Sequence, residues 1–334
     1  MAAPRMISCV LALATLTLGA CSAATPRPSG GQPVVSGVGG GSGTASSGAP
    51  SSGSATGPSE TAAPSASALD PAAYKTELET RRKAMAGAID SMTAARKPKT
   101  LGWRAQRAAE TIEDGAAALA AVTPPEQVRA QHDAYVGSLR DFATALGGTA
   151  GKVGSRDLCT SSAALTDVGG ALKALDQAGQ ALQKAGDYPA DVVTVKAGAK
   201  KTRRLGNGTF VRRSTLNGRS SLQIDNGGTR DAVVTMVKGG SKTVSVYVRK
   251  KSKFKVSGVR DGSYKIYFTH GVDWDGKARA FTRECSFERF EKSVSFKTTF
   301  TATQIRWHDW RITLHAINGG NARTADVDPD DFPS

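Results

Sequence analysis

The sequence predicts an α+β protein in which an N-terminal helical bundle of about four helices precedes an antiparallel β-sandwich. Between Asp70 and Asp187, apolar residues recur every three or four positions, which is the spacing of one helix face. From about Ala190 onward, Val, Thr, Tyr and Phe alternate with polar residues between turn-forming Gly, Asn and Asp, as in short strands. We therefore assign residues 70–187 to the bundle and residues 188–320 to the sandwich.

An apolar run at the start of the chain predicts a signal peptide at residues 1–20. Arg5 precedes Met6–Ala20, a run of about fifteen uncharged residues that is shorter than the roughly 20 needed to span a bilayer. The run ends in Leu18-Gly19-Ala20-Cys21, which resembles the lipobox of bacterial lipoproteins. The resemblance implies cleavage before Cys21 and a diacylglyceryl group on its sulfur. Two acyl chains hold a protein stably on a membrane, which implies a lipid-anchored, extracytoplasmic protein on the outer face of the bacterial cytoplasmic membrane. The alternative is an ordinary secretory signal followed by a chance cysteine.

Residues 21–69 form a low-complexity segment rich in Ser, Gly, Ala, Thr and Pro. Such a segment buries too little apolar surface to offset the entropy of ordering it. It predicts a flexible tether, and the 47 residues from Ser22 to Ala68 would have a relaxed reach of roughly 35–40 Å. Residues 321–334 form an acidic tail beyond the sandwich.

Helix signals mark the predicted bundle. Asp70 is placed to cap the first helix with Pro71 in its first turn, and Thr123 and Glu126 match a capping box at the third. A Gly-rich stretch at 147–155 predicts a break before the fourth helix. The stripes expected to face the core are Tyr74, Leu78, Met85, Ile89, Met92; Leu101, Ala105, Ala108, Ile112, Ala116, Leu119, Val122; Val128, His132, Tyr135, Leu139, Phe142, Leu146; and Leu158, Leu165, Val168, Leu172, Leu175, Leu182.

About seven short strands are predicted after residue 190, as in an antiparallel sandwich. The stretch Val256–Phe268, "VSGVRDGSYKIYF", resembles the repeat signature of transthyretin-like or carboxypeptidase-regulatory-like sandwiches. That resemblance implies a fold and no activity. The predicted one-faced sets are Val244, Val246, Val248; Tyr264, Ile266, Phe268; and Trp310, Ile312, Leu314, Ala316.

Two cysteines, Cys159 and Cys285, remain after Cys9 leaves with the signal and Cys21 is lipidated. In an oxidising extracytoplasmic space the pair is a candidate disulfide between the two predicted domains. The alternative is two separately buried thiols.

Positive charge is concentrated in the predicted sandwich. Residues 70–187 carry 15 Lys and Arg against 14 Asp and Glu, whereas residues 190–320 carry 26 against 10. The candidate anion-binding residues are Lys196, Lys200, Lys201, Arg203, Arg204, Arg249, Lys250, Lys251, Lys253 and Lys255. A field this asymmetric attracts polyanions. For an envelope protein, anionic phospholipid or a phosphate-bearing wall polymer is expected and nucleic acid is not. The alternative is a solvated basic face.

No motif in the sequence points to a catalytic residue, a metal site or a cofactor. Nucleophile elbows, P-loops, HExxH and GxGxxG are absent from the sequence, and His308 and His315 lack zinc-ligand spacing. Asp273 and Asp275 are read as turn formers, and Asp326–Asp331 as a solvated tail with calcium as the lesser alternative. The favoured function is non-enzymatic binding of an envelope component. A wall hydrolase with a site between the domains, and an accessory or sensor subunit of a membrane complex, are the alternatives.

Overall fold

The structure, a computed structural model, describes residues 67–315 and 322–333, all within one compact unit, Ala62–Ser334. The predicted signal peptide, Cys21 and nearly all of the predicted tether lie outside the described residues. The described helices are α1 Pro71–Thr93, α2 Pro98–Ala120, α3 Arg129–Gly154, α4 Ser161–Asp167 and α5 Gly169–Gly186. The described strands are β1 Phe210–Arg213, β2 Ser220–Asn226, β3 Asp231–Lys238, β4 Ser241–Val248, β5 Ser252–Val259, β6 Gly262–Asp275, β7 Ala280–Phe290, β8 Val294–Phe296, β9 Thr298–Phe300, β10 Ile305–Trp307, β11 Trp310–Thr313 and β12 Thr324–Asp326. The predicted α+β class is confirmed.

The N-cap of helix α1 and its apolar stripe both favour a helix over the same residues. The Asp70 Oδ1 accepts the backbone N–H groups of Ala72 and Ala73, both at 3.0 Å, as the predicted N-cap requires. The five predicted stripe residues of α1 are all buried. They join one apolar core with residues of α2, α3, α4 and α5.

Three details of the helical prediction were wrong. The Gly-rich stretch does not end the third helix, because α3 continues to Gly154 with Thr149 and Val153 buried on its core face. The predicted capping box does not form: Glu126–Val128 is a three-residue 3₁₀ turn without a side-chain cap bond, and α3 begins at Arg129. The predicted fourth helix is also divided, since Val168 separates α4 from α5.

The strands form a mostly antiparallel arrangement of three sheets. The seven-stranded sheet has the order β1-β4-β3-β6-β7-β12, with β8 also pairing with β6. Part of the predicted acidic tail, residues 321–334, therefore belongs to this sheet, because Thr324–Asp326 pairs with β7. The three-stranded sheet has the order β11-β2-β5, in which β11 runs parallel to β2. Strands β9 and β10 form a separate two-stranded hairpin.

Both faces of the central strand β3 are covered, which explains why nearly all its residues are buried. Val234 and Met236 belong to a core cluster that also contains Ile224 of β2 and Val256 of β5, so this cluster draws on both large sheets. Val233, on the opposite face, packs in a second cluster whose other members are Tyr247, Trp274, Phe281, Cys159 and Cys285.

The predicted faces of β4 and β6 are confirmed, since Val244, Val246, Val248, Tyr264, Ile266 and Phe268 are all buried. The last predicted face holds only in part. Ile312 and Leu314 are buried, but Trp310 is 42% exposed and β11 ends at Thr313. Ala316 lies outside the described residues.

Cys159 and Cys285 form a disulfide that ties the helical part to the strands. Their sulfur atoms are 2.04 Å apart, which confirms the predicted pairing. Backbone bonds extend the junction: the Cys159 N–H donates to Thr282 O at 2.8 Å, and the Cys285 N–H donates to Arg156 O at 3.0 Å. The segment before α4 therefore lies beside β7. Among the described helices, none has the length and apolarity needed to cross a membrane.

Candidate anion-binding surface

The first predicted basic run, Lys196–Arg204, ends beside the second run, Arg249–Lys255, although more than forty residues separate them in the sequence. Leu205 O accepts from Arg249 Nε at 2.8 Å. The Asn207 side chain bridges further, since its Oδ1 accepts the Arg249 N–H at 3.0 Å and its Nδ2 donates to Lys253 O at 2.9 Å. Together these bonds hold residues 204–207 along the end of β4 and the start of β5.

A buried aspartate, Asp231, organises this junction. Its carboxylate accepts two bonds from the Arg204 guanidinium, both at 2.6 Å, one from the Tyr247 hydroxyl, and one from the Lys250 N–H at 2.9 Å. Burial alone would raise the pKa of Asp231, but the hydrogen bonds from Arg204, Tyr247 and Lys250 outweigh it and hold the pKa below its usual value. Asp231 thus stays charged and fixes the Arg204 side chain.

A second buried aspartate, Asp273, holds Arg203. Its oxygens accept from the Arg203 N–H at 2.7 Å, from Nε at 2.9 Å and from Nη2 at 2.8 Å, while Thr282 Oγ1 donates at 2.8 Å. Asp275 adds an ion pair to Arg203 Nη1 at 3.2 Å. Burial would raise the pKa of Asp273, yet the hydrogen bonds from Arg203 and Thr282 lower it to about 2. Asp273 and Asp275 therefore both serve an ion pair that anchors the chain.

The first predicted run is thus divided between two places. Thr166 of α4 donates to Gly198 O at 3.0 Å, so the part that contains Lys196 and Lys200 runs beside the helices, whereas Lys201 O accepts from Arg283 Nη2 of β7 at 2.8 Å. Arg203 is held by Asp273, and only Arg204 joins the second run. The structure brings together Arg204, Arg249, Lys250, Lys251, Lys253 and Lys255, which we call the basic surface.

Some cations of the basic surface are paired with other groups of the protein, and others are not. Lys253 Nζ pairs with Asp225 at 3.0 Å, and Lys251 Nζ donates to Gly227 O at 2.6 Å. Lys250 and Lys255 have exposed side chains, and within the described part of the chain no carboxylate lies within ion-pair distance of either. These two ammonium groups are the ones most available to an external anion.

The pairing of β11, β2 and β5 places further positive charge on the three-stranded sheet. Lys255 on β5 lies opposite Gln223 on β2, which in turn lies opposite Arg311 on β11. Arg311 also donates to Gln223 Oε1 at 3.1 Å. Since neighbouring strands are about 4.8 Å apart, Arg311 is roughly 10 Å from Lys255 across the exposed face.

Two of the four histidines, His132 and His270, are buried in the structure. His132 Nδ1 is 2.8 Å from the Tyr74 hydroxyl, and burial lowers the pKa of His132, in keeping with its predicted place on a core stripe. Burial, followed by the charge of Arg230, lowers the pKa of His270 to about 4. His315 Nδ1 accepts the Gly227 N–H at 3.1 Å, and His308 is exposed.

Two cavities in the described part of the chain have linings without carboxylates or histidines. A cleft of about 250 Å³ is lined by residues that include Ser214, Met236, Lys238 and Tyr264, and a smaller cavity of about 60 Å³ lies beside Trp274. Neither lining contains a carboxylate or a histidine. Residues 67–315 and 322–333 contain no group of three His, Cys, Asp or Glu side chains arranged to hold a metal ion.

Sequence reasoning missed Asp231 and Asp225, which lie within or beside apolar strands and neutralise part of the basic surface. A lone aspartate at the start of "DAVVTMV" was a usable signal, because a charge entering a buried strand requires a partner. In comparisons with known proteins, no family model, no curated protein and no solved structure matches the chain.

Proposed function

We propose that this chain is a lipid-anchored extracytoplasmic protein whose strand-rich part binds a phosphate-bearing component of the cell envelope. The observation that carries the binding proposal is one exposed surface on which the second basic run is joined by Arg204 of the first, with Arg204 held in place by Asp231. A preset arrangement of cations loses less side-chain freedom when it meets an anion than scattered lysines do. The proposed binding is electrostatic and non-enzymatic.

The anchoring proposal is supported by the lipobox resemblance at Leu18–Cys21 and by the signal-like run before it. We also infer that the helices form a bundle and that the two large sheets form a sandwich. The sandwich inference is supported by the apolar cluster that draws side chains from β2 and β5 as well as from β3, β4 and β6. The bundle inference is supported by the shared core of the five helices.

The test uses the chain beginning at Ser22, which contains the whole compact unit and lacks the predicted lipid attachment site. Binding is measured to vesicles containing phosphatidylglycerol and to immobilised polyphosphate, which separate a lipid headgroup from a phosphate polymer. Binding to at least one of them should weaken steeply between about 0.05 and 0.5 M salt, because screening shortens the range of exposed charges.

The decisive variant is Lys250→Glu/Lys255→Glu. Each exposed cation near a lipid surface contributes about 1 kcal/mol, so losing two should weaken vesicle binding about thirtyfold, and reversing them further. The matched control is Lys173→Glu/Lys184→Glu, which makes the same change in net charge on two exposed lysines of α5. If both variants lose binding equally, only net charge matters and the basic surface is not a site.

A further inference from the structure

A hairpin that leaves the body of the strands carries an exposed apolar face. In the β9–β10 register, Phe300 lies opposite Ile305, and Trp307 lies opposite Thr298. Side chains two residues apart share a face of a strand, so Phe300, Ile305 and Trp307 lie on one face. Their exposed fractions are 67%, 41% and 47%, whereas Thr299 and Arg306 occupy the other face.

The base of this hairpin is firmly held. Val294 and Phe296 of β8 are buried before it, and Ile312 of β11 is buried after it. Asp261 binds Thr298 twice, accepting its N–H at 2.7 Å and its hydroxyl at 2.9 Å. The hairpin therefore presents its apolar face from a fixed root.

One hydrogen bond joins the two ends of the hairpin at its root, and another closes its tip. Trp310 Nε1 donates to Ser295 O at 2.8 Å, which joins the end of the hairpin to the strand before it. At the tip, the Thr301 N–H donates to Gln304 O at 2.8 Å. An exposed aromatic set on so ordered a segment is preorganised for contact.

Cations outnumber carboxylates in the segment that contains the hairpin. Within residues 292–311 the charged residues are Lys292, Lys297, Arg306 and Arg311 against the single carboxylate of Asp309. Arg311 continues across the three-stranded sheet to Lys255, so the root of the hairpin adjoins the basic surface. An apolar face flanked by cations is complementary to one kind of surface in particular, the interface of an anionic bilayer, where aromatic rings rest between acyl chains and headgroups.

We propose that the β9–β10 hairpin is a membrane-interface anchor, and that Phe300, Ile305 and Trp307 enter the headgroup region of a bilayer containing anionic phospholipid. This inference rests on the proposed function, because it names the lipid bilayer as the surface that the neighbouring cations recognise. The cations supply attraction at a distance, and the apolar face supplies a contact that salt does not screen.

The first test compares Phe300→Ser/Trp307→Ser with Trp103→Ser in the chain beginning at Ser22. Trp103 on α2 is 64% exposed, which makes it a matched control for losing a surface tryptophan. Each buried aromatic ring is worth about tenfold or more in partitioning, so the double variant should bind phosphatidylglycerol vesicles about a hundredfold less tightly at high salt. The Trp103 variant should bind like the unaltered chain, and thermal unfolding should be unchanged in both.

The second test locates Trp307 directly. In a Trp103→Phe background, which keeps the Trp310 bond to Ser295, the other tryptophans are Trp307, Trp310 and the buried Trp274. The Trp307 emission is then the part that is lost when Trp307→Phe is added. Vesicles whose acyl chains carry bromine should quench the Trp307 emission, whereas immobilised polyphosphate should leave it unchanged. Absence of quenching with the chain bound to vesicles would overturn the proposal.

The outcomes separate this inference from the proposed function. If Lys250→Glu/Lys255→Glu loses vesicle binding and the hairpin variant keeps it, the hairpin proposal is wrong and the basic surface stands. If the lysine variant binds both anions normally, the proposed function is wrong whatever the hairpin does. If the hairpin variant loses binding to a neutral wall polysaccharide but not to vesicles, the aromatic face is a glycan platform and the membrane proposal is overturned.

Discussion

Replacing Asp273 with Asn should destabilise the protein more than any comparable change in an exposed ion pair. Asp273 is buried, with only 3% of its side chain exposed, and it binds three nitrogen atoms of Arg203 and the hydroxyl of Thr282. The variant keeps the size of the side chain but removes its charge. It also points an amide N–H₂ group, or an oxygen without charge, at the Arg203 donors.

The magnitude follows from the pKa of Asp273. A shift from 3.8 to about 2 on folding corresponds to about 2 kcal/mol of stability that requires the ionised carboxylate. Mismatched hydrogen bonds at Thr282 and Arg203 add about 1 kcal/mol. The expected loss is therefore about 3 kcal/mol near neutral pH. For a unit as large as Ala62–Ser334, that lowers Tm by about 5 °C.

The assay is thermal unfolding of the disulfide-intact chain as a function of pH. Because folding lowers the pKa of Asp273, its contribution is fully present above pH 4 and is lost as the pH falls from about 4 towards 2. The difference in stability between the unaltered chain and Asp273→Asn should therefore shrink by about 2 kcal/mol across that range.

The control is Asp225→Asn, which breaks the Lys253 ion pair on the surface. Its side chains are 61% and 20% exposed, so the pair should be worth at most about 1 kcal/mol. If Asp273→Asn costs no more stability than Asp225→Asn, or if its effect is the same at about pH 2.5 and pH 6, the Asp273 carboxylate does not stabilise the fold through its charge.

Three further predictions concern the anchor, the disulfide and the Asp231 junction. Cys21→Ala should move the protein from the membrane fraction to the medium or leave uncleaved precursor, and an unmodified mature start elsewhere, found by mass spectrometry, would contradict the anchor. The disulfide between Cys159 and Cys285 closes 126 residues, so reducing it should cost up to about 4–5 kcal/mol. Two thiols labelled in the unfolded, non-reduced chain lacking Cys21 would reject the disulfide. Tyr247→Phe should cost about 1.5–3 kcal/mol by removing a hydrogen bond to the buried Asp231 carboxylate, and an unchanged unfolding midpoint would show that this bond contributes little.

Local patterns predicted those features of the fold that depend on local causes. The cap at Asp70 and the stripe from Tyr74 to Met92 agree with the structure, because both are set within one helix. The Gly-rich stretch at the end of α3 was misjudged, since burial of Val153 against the core outweighs weak helix propensity there. Tertiary packing of that kind has no local signal.

The candidate site depended on contacts between distant segments, and these could be predicted only in outline. Charge counts identified both basic runs, but not that Arg203 is paired with Asp273 or Arg204 with Asp231. Those pairs form only when strands far apart in sequence become neighbours. The exposed hairpin was missed for a related reason: alternation at Phe300 and Ile305 looks the same whether that face is covered or bare.

The two proposed contacts differ in their dependence on salt and lipid, and this difference explains why both would be useful on one surface. Cations alone would bind any polyanion and release it as salt rises. The apolar face of the hairpin alone would bind neutral and anionic bilayers alike and would resist salt. Because Arg311 joins the hairpin root to the row that contains Lys255, the two proposed contributions would act on the same bilayer surface. The combination should favour anionic bilayers over both neutral bilayers and soluble polyphosphate, a selectivity that neither contact would have by itself.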